Sequence, residues 1–286
     1  MKYSEIISCS RRTDVPAFNM DWVISKIKQG YVDVANPFNK KQISRVSLDP
    51  NDVRAFVWWS KDFHKWIQAY RQYKSLFTQY KGHYFQFTIN SPSELEPNVY
   101  RTLGERLNQL RWLVKEFGTS ALSYRFDPII LYKKQNSSTI RSNLTKFKYL
   151  IQQISEIGLR EMIFSFATIY SKVERRMKSR GYIPIRLTLT QKKEILKKSK
   201  RICDNYGVKM LGCCQPDLLE IEGIEQAHCI DAYKLEKLIG EPIKKVKDTC
   251  QRDSCGCFKS KDIGGYHGIF KCKHNCSYCY ANPTKI

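Results

Sequence analysis

The sequence is short of several things, and each shortage removes a class of protein. It has no run of 18 apolar residues, so no transmembrane helix and no membrane partner are expected. Its opening residues, MKYSEIISCSRRTD, lack the apolar stretch of a secretory signal, and a cytoplasmic location is the expectation. There is no G-x-x-x-x-G-K-S/T phosphate loop and no G-x-G-x-x-G turn, which leaves nucleotide hydrolysis and nicotinamide chemistry without support. Histidine is scarce, with five copies, and none forms a Ser/His/Asp grouping. Acidic residues are few as well. Against 49 Lys+Arg stand 27 Asp+Glu, for a net charge of +22. Such an excess marks either a polyanion partner, nucleic acid foremost, or a lysine-rich solvated surface. The densest basic stretches are ERRMKSR at 174–180 and KKEILKKSKR at 192–201, the latter reading as the wet face of a helix.

Cysteine, by contrast, is abundant. There are 11, and nine of them lie beyond residue 212. Disulfides are not expected in a reducing cytosol, and clustered thiols there usually mean metal.

The first two-thirds of the chain alternates short apolar runs with amphipathic segments. Strands are expected at 5–10, 31–36, 54–61, 83–90, 121–131, 161–167 and 208–214, with a hairpin arm at 40–49. Helices are expected at 21–30, 62–77, 99–117, 144–157 and 189–205. In the fourth of these, Leu144, Phe147, Leu150, Ile151, Ile154 and Ile157 recur at helical spacing, and Gly158 suits the stop. Strands alternating with helices imply a parallel sheet, here a complete or partial (β/α) TIM-like barrel over residues 1–215. Residues 216–286 then form a cysteine-rich metal-binding extension. No Ser/Gly linker separates the two parts.

In such a fold, function gathers where strands end. Arg11, Arg12 and Asp14 follow the first strand, and Lys61 follows the third. Arg125 and Asp127 stand at i and i+2 in an apolar strand, so both face one side. These six are the candidates for positioning cofactor and substrate.

The motif carrying most chemistry is KCKHNCSYCY at 271–280. Cys272, Cys276 and Cys279 at C-x3-C-x2-C can hold three corners of a 4Fe–4S cluster and leave one iron open. A zinc knuckle is the alternative, with His267 or His274 as fourth ligand. The spacing, with Tyr278 before the last cysteine, resembles the radical SAM enzymes, which implies S-adenosylmethionine on the open iron and a reductant to supply the electron. That family usually carries its motif after the first strand, so its place here resembles a permuted version. Cys213, Cys229, Cys255 and Cys257 are candidates for a second site, either another 4Fe–4S cluster or zinc, with Cys214 a substitute for Cys213. Cys9 and Cys250 are set aside as ligands.

SCSRRTDVPAF (8–18), ANPFNKKQISRVSL (35–48), YRFDPI (124–129), CQRDSCGC (250–257), KDIGGYHG (261–268) and CSYCYAN (276–282) together resemble a bacterial family, domain of unknown function 1848. The resemblance covers nearly the whole chain. It implies a C-terminal cysteine cluster like the radical SAM one and brings no reaction with it. Two readings stand: an enzyme whose open cluster binds S-adenosylmethionine over the barrel and acts on nucleic acid, or a non-catalytic metalloprotein that binds nucleic acid or senses redox state.

Overall fold

The computed structural model describes residues 5–37, 39 and 41–281. Phe38, Lys40 and Asn282, which fall within the stretches quoted above, lie outside the described residues, as do the first four residues.

Eight strands form one sheet: β1 (Glu5–Cys9), β2 (Val53–Ser60), β3 (His83–Thr88), β4 (Leu122–Ile129), β5 (Glu161–Phe166), β6 (Lys209–Gly212), β7 (Ile224–Gln226) and β8 (Lys261–Asp262). Every ladder in it is parallel. The spatial order is β7-β6-β5-β4-β3-β2-β1-β8, which follows the chain until the last strand returns beside the first. Among the described residues no ladder joins β7 to β8, so a closed barrel is not shown; the fold is α/β with a large parallel sheet.

Both faces of the sheet are apolar, as parallel sheets require. On one face Ile7, Phe56, Trp58, Phe85, Phe87, Phe126 and Phe164 pack against the helices. On the other, Ile6, Ala55, Val57, Tyr84, Ile163 and Leu211 share a cluster with Cys229, Ile230, Leu235, Cys255 and Cys257. The segment between β7 and β8 therefore fills that second face. Residues beyond 215 supply two strands to the sheet as well as its inner packing.

The helices form where the apolar spacing demands. Leu103–Phe117 opens on a capping box, with Thr102 accepting from the Glu105 amide and Glu105 accepting from the Thr102 amide. Leu189–Asn205 opens the same way on Thr188 and Gln191. Phe147–Glu156 buries Phe147, Leu150, Ile151 and Ile154, each worth about 1.5–3 kcal/mol.

The segment expected as the second sheet strand is elsewhere. Tyr31–Ala35 pairs antiparallel with Ile43–Ser47 in a separate hairpin. The reason lies in burial. Asp33 and Ala35 are exposed, a half-wet pattern, whereas Val53–Ser60 is buried on both sides. Three helices went unseen in the sequence, Val15–Phe18, Ser171–Ser179 and Ala232–Ile239. No helix among the described residues is long and apolar enough to cross a membrane.

Candidate functional site

The last cysteine loop folds back onto the C-terminal edge of the sheet. His274 Nε2 donates to Asp14 Oδ2 at 2.7 Å, and the ring lies edge-on to Phe18, 4.6 Å between centroids. Asp14 also takes the Ser60 hydroxyl at 2.7 Å and the Lys61 amide at 2.7 Å, while capping the helix that starts at Val15. One carboxylate thus ties the ends of β1 and β2 to the loop. Beside it, Lys61 Nζ donates to Glu96 at 2.9 Å, Asn90 Nδ2 donates to Glu96 at 2.8 Å, and the Tyr278 hydroxyl donates to the same carboxylate. From the opposite side, Arg180 donates to the Asn275 carbonyl at 2.7 Å and to its side chain at 2.6 Å. Arg176 donates to the Cys279 carbonyl. Asn275 takes a left-handed φ of 57°, a conformation Asn tolerates, and this turns the chain between Cys272 and Cys276.

The charges here are strongly biased. Burial would raise the Glu96 carboxyl, but Lys61, the Tyr278 hydroxyl and Arg106 outweigh it and hold it down to about 2. Burial lowers the Lys61 ammonium, and Glu96 with Cys276 more than reverses this. Burial pushes the Cys272 thiol up to about 12 and Cys276 well above its ordinary range. Lys61, Arg176 and Lys172 oppose that rise at Cys279. These cations fit an anionic, thiolate-bound group better than three neutral thiols. Among the described residues, no group of three or more His, Cys, Asp or Glu stands ready around a single metal ion.

The second cysteine set also comes together. Cys213 and Cys229 place their sulfurs 3.4 Å apart. Cys214, Cys255 and Cys257 pack in the same cluster as this pair. Cys214 has a left-handed φ of 52°, which turns it to the same cluster as its neighbour, where extended backbone would send consecutive side chains apart. Hydrogen bonds from Cys213 and Cys257, with Arg125 close by, hold the Cys229 thiol well below its ordinary range.

Each candidate from the sequence can now be placed. Arg125 is buried and pairs with Asp127, as their shared face implied, and it also donates to Gln86 at 3.2 Å and to Cys229 Sγ at 3.0 Å. Its guanidinium lies over Trp59. Asp127 accepts in addition from Ser165. Arg11 donates to Asp248 at 2.9 Å, and its amide donates to Asp262 at 2.8 Å, while Arg12 reaches the Gly264 carbonyl at 3.1 Å. Both arginines tie the end of β1 to residues 248–264. Lys61 and Asp14 stand under the C-terminal loop. His267 is exposed, and Cys9 is buried in the core behind β1.

Several residues escaped the sequence reading. Glu96 follows β3 in a stretch with no pattern, and Arg106 looks like an ordinary exposed helix residue, yet it is 2% exposed. Arg176 and Arg180 carried a signal: spaced by four, they share one helix face beside the buried Val173 and Met177.

Fold and site define an α/β protein whose C-terminal cysteines gather against one parallel sheet. The chain belongs to the family described as Domain of unknown function (DUF1848), whose model matches residues 6–281. No curated protein matches it.

Proposed function

We propose that Cys272, Cys276 and Cys279 hold a 4Fe–4S cluster with one iron open to S-adenosylmethionine, and that the protein is an enzyme resembling a permuted radical SAM enzyme. The observation that supports this most is the anchoring of the three-cysteine loop onto the C-terminal edge of a parallel sheet by buried charged contacts to Asp14 and Glu96. When bound, the reduced cluster would supply the electron that splits S-adenosylmethionine. The chain's own residues do the rest. Lys61, Arg176 and Lys172 offset the negative charge of the thiolates. Arg176 and Arg180 fix the loop through its carbonyls. Asp127, part-exposed and oriented by Arg125 and Ser165, offers a carboxylate to a substrate. At the ends of β4 and β5 a cavity of about 200 Å³ is lined in part by Ile129, Phe166, Thr168, Arg186 and Lys192, and its cations suit an anionic substrate.

A second reading rests on His274. Its Nδ1 is buried without a hydrogen-bond partner among the described residues, while Nε2 is held by a carboxylate. That is how a metal-binding histidine is usually oriented, so His274 would fill the fourth place and close the site.

The test is purification without oxygen, iron and sulfide counts, and addition of S-adenosylmethionine to the reduced protein. A changed EPR signal and release of 5′-deoxyadenosine support the enzyme. Zinc without iron refutes it, and an iron cluster indifferent to the additive supports the His274 reading. A nucleic-acid substrate is a separate part of the proposal, resting on the +22 charge. Binding to DNA or RNA should weaken steeply between low and physiological salt, and no binding at low salt removes it.

A further inference from the structure

We propose that Cys213, Cys229, Cys255 and Cys257 form a closed tetrathiolate site for one zinc ion, distinct from the C-terminal loop. The thiols come from three separate places in the chain: the end of β6, the segment after β7, and the Cys-Gly-Cys run before β8. All 11 cysteines are free of disulfides. Cys213, Cys214, Cys229, Cys255 and Cys257 nevertheless gather in one cluster, with the Cys213 and Cys229 sulfurs 3.4 Å apart and Arg125 and Gln86 beside them. As thiolates, they would need a cation to offset their buried negative charge.

The spacing selects the cation. Sulfurs bound tetrahedrally at about 2.3 Å from zinc lie about 3.8 Å from one another. Cys213 and Cys229, at 3.4 Å, need to part by only about 0.4 Å to reach that separation. A 4Fe–4S cube binds each thiolate through a different iron and so holds them much further apart. Among the described residues the thiols do not stand ready around a single ion, so the ion would shift them slightly as it displaces the thiol protons.

The surroundings fit. Zinc with four thiolates carries two negative charges, and Arg125, 4% exposed, donates to Cys229 Sγ at 3.0 Å. Gly256 permits the chelating turn. A Cβ there would stand 2.9 Å from His228 Nδ1 and 3.0 Å from the Ala227 carbonyl oxygen. Cys255, Gly256 and His228 line a cavity of about 470 Å³, which gives the ion a way in. With four protein ligands the site has no open position, so it braces the segment that spans β7 and β8. Arg125 then acts as its counter-ion.

The test uses the full chain and a variant, Cys272→Ser/Cys276→Ser/Cys279→Ser, that cannot hold the C-terminal cluster. Both are expected to carry one zinc per chain. Adding Cys255→Ser/Cys257→Ser abolishes it, while Cys214→Ser keeps it. Cobalt in the triple variant should give the d–d and charge-transfer bands of a tetrahedral tetrathiolate. Should that variant fail to fold, zinc X-ray absorption on the unaltered protein should show four sulfurs at about 2.3 Å. Iron with acid-labile sulfide in the triple variant, or neither zinc nor cobalt–thiolate bands, overturns the proposal. Loss of zinc in Cys214→Ser overturns the choice of ligands. Because these readouts use a chain without the C-terminal cysteines, they stand or fall independently of the radical SAM reading.

Discussion

Glu96→Gln removes the carboxylate on which the C-terminal loop rests, and its cost can be worked from the structure. The carboxyl is held at about 2 against an ordinary 4.5, despite burial that by itself would raise it. That displacement corresponds to about 3 kcal/mol of differential stabilisation of the charged form. Since the folded value is depressed, the stabilisation is complete above about pH 4.5 and is lost as pH falls toward 2. The variant leaves the Lys61 ammonium and the Arg106 guanidinium buried beside a neutral amide. Urea unfolding at pH 7 should show a loss of about 3 kcal/mol, the range expected when one partner of a buried pair is removed. The loss should shrink at pH 3. Adding Lys61→Met should cost less than its effect alone, because the second change removes the charge the first stranded. A loss under about 1 kcal/mol, the range of an exposed ion pair, refutes the reasoning. So does strict additivity with Lys61→Met.

The remaining predictions concern other parts of the molecule. His83 takes the Trp58 indole N–H on Nδ1 at 3.1 Å and donates from Nε2 to the Phe77 carbonyl at 3.0 Å, so it is neutral, and burial holds it down to about 4. Its folded value is below the ordinary 6.5, so this stabilisation is whole above pH 6.5 and falls by up to about 3 kcal/mol as pH drops through 4. Melting curves should show it, and a pH slope unchanged in His83→Phe refutes it. Arg180→Ala frees the Asn275 backbone and side chain, and hydrogen exchange at 275–279 should quicken while the Phe147–Glu156 helix stays protected; equal change in both refutes local anchoring. Gly256→Ala forces a methyl against the Ala227 carbonyl and His228, with a loss of about 1–3 kcal/mol in urea unfolding, and a neutral result contradicts the close approach.

Much of the fold was legible because burial writes itself into residue choice. Val53–Ser60 is buried along both faces, and only a covered parallel sheet needs that. Tyr31–Ala35 misled because a short apolar alternation serves a hairpin as well as a sheet. β7 and β8 were invisible because three and two residues carry no period. At the site, Cys272, Cys276 and Cys279 announced themselves by spacing within one loop. Glu96 did not, since its partners Lys61 and Tyr278 lie 35 and 182 residues away.

The sequence alone determined the alternation of strands and helices, the C-x3-C-x2-C loop and the crowding of thiols late in the chain, because local propensity and ligand spacing act over a few residues. Tertiary structure alone decided that Asp14 and Glu96 hold that loop to the ends of the strands. It also decided that Arg125 faces a second set of cysteines across the sheet's inner face, and that residues 227–260 fill this face. Those outcomes depend on which charges are desolvated together, and desolvation is a property of the packed chain.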